Sequence, residues 1–123
     1  MIRLSLPGEY TDLNTYSTAE RAHRHKAAEI KRDETERVWA EVMSQKNREG
    51  LRIEKYPITI AFHWFAPDKR KDPDNIAFAK KFLLDGCQDA GLIENDGWKQ
   101  IAGFSDSFHI DKESPRVEMV ITW

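Results

Sequence analysis

Apolar and polar residues alternate from the start of the chain. In Ile2-Arg3-Leu4-Ser5-Leu6 every second residue is apolar, the period of a half-buried strand, and Pro7-Gly8 closes it with a turn. Residues 9–15, with Asp12, Asn14 and Thr15, read as a loop. From about Ser17 to about Lys46 there is no Pro or Gly, and the composition is helix-forming. Ala27, Ile30, Val38 and Val42 give this stretch one weak apolar stripe, so it reads as a long polar helix or helix pair packed along one edge. Tyr56 to Phe65 returns to a period of two, with Ile58, Ile60, Phe62 and Trp64 on one face and Thr59, Ala61 and His63 on the other. Pro73 to Ala90 is predicted as one helix, Trp98 to Ile110 as a strand and Arg116 to Trp123 as a last strand. Asp111 to Pro115 reads as a hairpin-type turn between those strands. The expected order is β-α-β-α-β-β, one α+β domain over residues 1–123 with a mixed sheet.

Composition narrows the class. A chain of 123 residues that is 40 % hydrophobic has room for one core and not two. The single cysteine, Cys87, excludes a disulfide framework and a cysteine-based zinc cluster. The apolar runs are too short to span a membrane, and the first residues carry no signal-type apolar stretch. A reducing cytoplasm is therefore the expected compartment.

The net charge of −2 argues mildly against nucleic acid as a partner, but the charge is unevenly spread. Residues 21–32 hold five Lys/Arg against one Glu, and Lys69-Arg70-Lys71 form a second basic cluster. Between Asp85 and Asp96 there are four acids and no base. Separated blocks of this kind let one face bind a polyanion.

The chemistry gathers around Asp72-Pro73-Asp74-Asn75. The plain reading is a helix start: Asp at the N-cap, Pro at N1 and a second acid facing the positive end of the helix dipole. The functional reading uses the same placement, because two carboxylates at a strand exit suit a hard cation. At about 100° per residue, Asp74, Lys81 and Asp85 fall on one polar line, opposite Ile76, Ala79, Leu83, Gly86, Cys87 and Ala90. Lys80 falls well off that line and reads as a surface residue. Gly91 ends the helix, and Asn95-Asp96-Gly97 forms a turn. Its Asp96 joins the other two acids if the strand starting near Trp98 lies beside the Tyr56–Phe65 strand. The remaining candidates are plain. His23 and His25 are two apart on a helix, His63 and His109 each stand alone on a strand, and Cys87 faces the core. Phe62, Trp64, Phe104, Phe108 and Trp123 read as strand core, and no glycine-rich phosphate loop is present.

Lys71-Asp72-Pro73-Asp74-Asn75, Lys81, Leu84-Asp85, Ala90-Gly91-Leu92 and Asn95-Asp96 together resemble the signature of RusA-type Holliday junction resolvases. Leu13-Asn14, the basic helix around Lys31 and Ser114-Pro115-Arg116-Val117 are similar to the phage-type members, so the resemblance covers nearly the whole chain. It implies a homodimeric, Mg²⁺-dependent DNA endonuclease, with Mn²⁺ as a substitute. Such an enzyme makes paired symmetric cuts in four-way junctions, leaving 5′-phosphate and 3′-hydroxyl ends. Carried over by residue, Asp72, Asp74 and Asp96 match the metal-holding acids and Lys81 the catalytic lysine. Two departures stand out: seven residues separate Asp74 from Lys81, about one helical turn more than the family pattern, and Asn95 replaces a second acid. DNA contacts are expected from Lys69, Arg70 and Lys71 beside the acids, extended by Asn14, Arg21, Arg24, Lys26 and Lys31. Two rival readings remain: a related module that binds branched DNA without efficient cutting, and a protein-interaction domain in which the two aspartates only cap a helix.

Overall fold

The alternation at the N-terminus is a strand, β1 (Ile2–Pro7), with Ile2, Leu4 and Leu6 buried and the residues between them exposed. This computed structural model describes all 123 residues. The helix that follows, α1 (Leu13–Ala22), begins earlier than the sequence pattern suggests. Asp12 is its N-cap: its carboxylate accepts from Thr15 N–H at 3.2 Å and from Thr15 Oγ at 2.6 Å, which converts the expected loop into a first turn. At His23 the backbone is extended, so the long polar stretch resolves as a pair, α1 and α2 (Arg24–Glu49). That break lets the His23 and His25 rings approach to 5.4 Å between centroids, which one continuous helix would prevent. Gly50, left-handed at φ 63°, caps α2.

Strand β2 (Ile58–Ala66) buries Ile58, Ile60, Phe62 and Trp64 as its alternation predicts. The predicted helix over 73–90 divides into α3 (Pro73–Ala77) and α4 (Lys80–Asp89). Across the join the backbone stays right-handed but tightens: Ala79 N–H bonds Ile76 O at 3.3 Å, Lys81 N–H bonds Phe78 O at 3.4 Å and Phe82 N–H bonds Ala79 O at 2.9 Å. Bonds to the third residue back wind at about 120° per residue instead of 100°, so every side chain beyond the join is rotated from its ideal-helix position.

The last two strands, β3 (Ile101–Ile110) and β4 (Arg116–Thr122), do not form a hairpin. The sheet order is β1-β4-β2-β3, with β2 and β3 parallel and β4 antiparallel to both β1 and β2. Helices α3 and α4 form the crossover that a parallel pair needs. The 111–115 segment then carries the chain across the end of β2, pinned by Asp111 N–H to Ala66 O and by Gly8 N–H to Pro115 O, both 2.8 Å. The protein is thus a small α+β domain with a four-stranded mixed sheet, in the expected order of elements.

One hydrophobic core lies between the helices and the sheet face carrying Phe62 and Trp64; Val38 and Val42 of α2 meet Phe82, Leu83 and Cys87 of α4 there. Gly86 is indispensable to that contact, since a Cβ on it would overlap the Val38 side chain. Burial pushes the Cys87 thiol up to about 12, so it is inert core. Helix α2 also closes one sheet edge: Gln45 accepts from Ser5 N–H at 3.1 Å and donates to Ser5 O at 2.7 Å, as a neighbouring strand would. No helix is long and apolar enough to cross a membrane.

Candidate active site

The loop leaving β2 passes through Lys69-Arg70-Lys71 and enters α3 at Asp72, beside a cleft of about 310 Å³ at the C-terminal ends of β2 and β3. Trp64, Ile76, Phe108 and Ile110 form its apolar wall, and Asp72 stands on its rim. Asp72 occupies the N-cap position, yet its side chain makes no capping hydrogen bond. Asp74 lies in the first turn of α3, and both acids are exposed. Neither carboxylate engages in a hydrogen bond or ion pair within the chain, so the two acids take the helix-start positions expected of them without a side-chain cap. The next residue of the motif is structural, because buried Asn75 accepts the Asn14 backbone N–H at 2.9 Å and so ties α1 to α3.

The basic cluster is not uniform. Lys71 Nζ lies 3.4 Å from Asp12 and 4.0 Å from Glu9, and Arg70 lies 3.6 Å from Asp68. Lys69 has no ion-pair partner and lines the cleft beside Asp72. The Arg70–Asp68 pair is exposed and exchanges readily for a phosphate, whereas Lys71 rests against the buried Asp12. Burial opposes ionisation of Asp12, but the Thr15 hydroxyl and N–H, with the Lys71 ammonium, outweigh it and lower its pKa from 3.8 to about 2. Arg21 and Arg24 stand exposed at the α1–α2 corner, with Lys26 following on α2. Lys31 lines a separate groove between α2 and α4 with Asp85 and Asp89. Asn14 is exposed on the first turn of α1.

Asp96 is not with the other acids. Strand β3 does lie beside β2, but parallel to it, so the crossover delivers Asp96 to the opposite end of the sheet. Asp72 neighbours Phe108 and Ile110, whereas Asp96 neighbours Ile101, Gly103 and the fully exposed Trp98. The strand rise puts about 20 Å between these positions. No three His, Cys, Asp or Glu side chains of one chain are grouped to hold a metal ion. Asp72 and Asp74 supply the oxygen donors a hard cation prefers, but one chain brings together only two of the three acids.

The two lysines after the helix join diverge. Lys81 Nζ bonds Asp85 at 3.1 Å along the outer surface of α4, with 56 % of its side chain exposed. Lys80, expected at the surface, is instead turned onto the sheet, where its Nζ lies 2.8 Å from Asp106 Oδ2 and 5.0 Å from the Phe62 and Phe104 ring centres. The other Asp106 oxygen accepts the Trp64 indole N–H at 2.8 Å. Winding within α4 accounts for the two directions: Lys80 shares a face with the buried Leu83, Leu84 and Cys87, three, four and seven residues on, whereas Lys81 shares one with Asp85.

The sheet face away from the helices holds a second group that the sequence pattern hides. His63 Nδ1 lies 2.6 Å and His109 Nε2 3.0 Å from Ser107 Oγ, so the two histidines share one hydroxyl instead of standing alone. The signal is the register His63 to Ser107, which exists only once β2 and β3 are known to be parallel. Phe104, Phe108 and Trp123 are 44 %, 39 % and 41 % exposed, against the expectation of strand core, since two of them belong to an edge strand and the third ends the chain. No protein-family model and no curated protein matches this chain.

Proposed function

We propose that the protein is a Mg²⁺-dependent endonuclease that resolves four-way DNA junctions as a homodimer, with Mn²⁺ able to substitute. The observation that carries the reading is the acid pair Asp72 and Asp74, exposed and without internal partners, with Asp72 on the rim of a cleft that also holds the unpaired Lys69 and Asp74 two residues on in the first turn of α3. Such a pair would repel DNA, so its placement beside three basic residues suits a divalent cation that would offset the carboxylate charge. Magnesium held there supplies charge neutralisation at a non-bridging phosphate oxygen and a more acidic water. Asp72 and Asp74 would hold the ion, Lys69, Arg70 and Lys71 would grip the flanking phosphates, and a lysine of α4 would face the charge that develops.

The distance to Asp96 gives the dimer its role in this reading. Strand β3 is a bare sheet edge, ten residues long, with Phe104, Phe108 and Ile110 exposed along it. A two-fold axis through that edge would pair β3 with its copy antiparallel, bringing Asp96 of each chain toward Asp72 and Asp74 of the other. Two such sites suit two symmetric cuts.

A nicking assay on a synthetic four-way junction and a matched linear duplex, with Mg²⁺ or EDTA, tests the reading. Wild type is expected to cut the junction, spare the duplex and fall silent in EDTA, and Asp74→Asn is expected to lose cutting. Mixed dimers of Asp74→Asn and Asp96→Asn chains are expected to recover one working site, because one of their two shared sites is then intact. Binding without cutting would leave a branched-DNA-binding module, and neither binding nor cutting would reduce the acids to surface residues.

A further inference from the structure

We propose that Lys80, not Lys81, is the α4 lysine that meets the scissile phosphate, and that Asp106 is its positioning residue; this rests on the reading of Asp72 and Asp74 as the metal-holding pair. The winding of α4 is the origin of the choice. It sets Lys80 on the face of the buried Leu83, Leu84 and Cys87 and leaves Lys81 paired with Asp85, which lines the groove on the α2 side of the helix.

Lys80 is held as few exposed lysines are. Its side chain is 22 % exposed, its Nζ is 2.8 Å from an Asp106 oxygen, and two aromatic rings lie 5.0 Å below it. Asp106 is itself fixed, because its second oxygen takes the indole N–H of Trp64, a residue only 2 % exposed. A chain from the core outward, Trp64 to Asp106 to Lys80, therefore sets the ammonium in one place. Folding gains little from it: an isolated pair near the surface contributes little and costs the lysine its rotamer freedom.

Position supplies the reason for the arrangement. Trp64 also forms the wall of the cleft that Asp72 rims, and Phe108 of that cleft is two residues from Asp106 on the same face of β3. Two residues of strand span about 7 Å, so a phosphate seated at Asp72 lies within a lysine's reach of the Lys80 ammonium. A lysine ammonium has three donors, and Asp106 occupies one. The others are free to bond a non-bridging phosphate oxygen, and the role is charge stabilisation without proton transfer.

The test compares Lys80→Gln, Lys81→Gln, Asp106→Asn and Asp106→Glu by steady-state cutting of the junction in saturating Mg²⁺, with the ¹⁵N resonances of the lysine ammonium groups as a second readout. Lys80→Gln is expected to lower kcat about 100-fold with KM unchanged, as loss of a group that acts on the transition state does. Lys81→Gln is expected to stay within about two-fold of wild type, as an exposed pair predicts. Asp106→Asn should cost about ten-fold in kcat, with most of it restored in Asp106→Glu. The ordered Lys80 ammonium signal, assigned by its loss in Lys80→Gln, should broaden away in Asp106→Asn. Full cutting by Lys80→Gln, a larger loss in Lys81→Gln, or an unchanged ammonium signal in Asp106→Asn would overturn the inference while the nuclease stands. A wild type that cuts in neither Mg²⁺ nor Mn²⁺ would remove the nuclease reading and this inference with it.

Discussion

The two edges of the sheet are finished in opposite ways. At the β1 edge Gln45 of α2 bonds both the N–H and the C=O of Ser5, and this glutamine is 8 % exposed. At the β3 edge nothing pairs with the outer row of backbone groups, and Phe104, Phe108 and Ile110 lie partly in water. Folding proteins usually blunt such an edge with charge, proline or a bulge. The contrast teaches that β1 is finished by its own chain, whereas the outer side of β3 is left open. The acids divide the same way, Asp72 and Asp74 at one end of that bare strand and Asp96 at the other.

The largest disturbance of this contrast is expected from Gly86→Ala. The added methyl meets Val38, so α2 must lift from α4, and with it the cover over β1. A loss of about 2–3 kcal/mol in chemical denaturation is expected, beyond what alanine returns in helix propensity. A Gly86→Ala protein as stable as wild type would mean that α2 is not held by this contact.

Acid separates the two ends of the molecule by about as much. Asp12 titrates at about 2 when folded and near 3.8 when unfolded, so its contribution is complete above pH 4 and disappears as the pH falls through 2. The loss is about 2 kcal/mol, and it frees Lys71 and the start of α1, whereas the Gln45–Ser5 amide pair carries no titrating group. Stability followed from pH 5 to 2 should show this loss in wild type and not in Asp12→Asn.

Gln45→Ala removes the cover itself. Leaving the Ser5 backbone groups without partners is expected to cost about 1–2 kcal/mol by denaturation. The smallest effect on stability belongs to the other edge. Ile110→Lys, at the exposed end of β3 away from Lys80, is expected to change the folding free energy by less than about 1 kcal/mol while sedimentation shows a dimer reduced to monomer. A monomeric wild type would sink the paired-edge reading directly.

Much of the fold is legible in the sequence because its strands alternate cleanly. Ile58 to Trp64 and Val117 to Ile121 bury alternate residues as a period of two demands. What stays hidden depends on partners that no local pattern names. Strand order is one case: nothing in Asp111 to Pro115 tells a hairpin from a step over β2. The exposed Phe104 and Phe108 follow from that order, since the same residues would be core on an inner strand. The site is legible in kind and not in placement. Asp72 and Asp74 stand where a strand exit and a proline start put them, but Asp96 is displaced by the parallel direction of β3. Lys80 is told from Lys81 on a wheel of α4 alone, where it shares a face with Leu83, Leu84 and Cys87. A wheel begun at Asp74 runs through the α3–α4 join, which winds tightly with neither Pro nor Gly to announce it.

The place of β4 has a consequence for how the protein is made. The last strand in the chain is an inner strand of the sheet, and it alone joins β1 to β2. While the polypeptide is emerging from the ribosome, β1 waits without a strand partner for more than a hundred residues. At about 5–20 residues per second that is roughly 5 to 20 seconds with an unpaired apolar strand. The parallel pair β2 and β3 can form earlier, so synthesis passes through a half-sheet that only residues 116–122 close. Loss of those few residues would break the sheet in two.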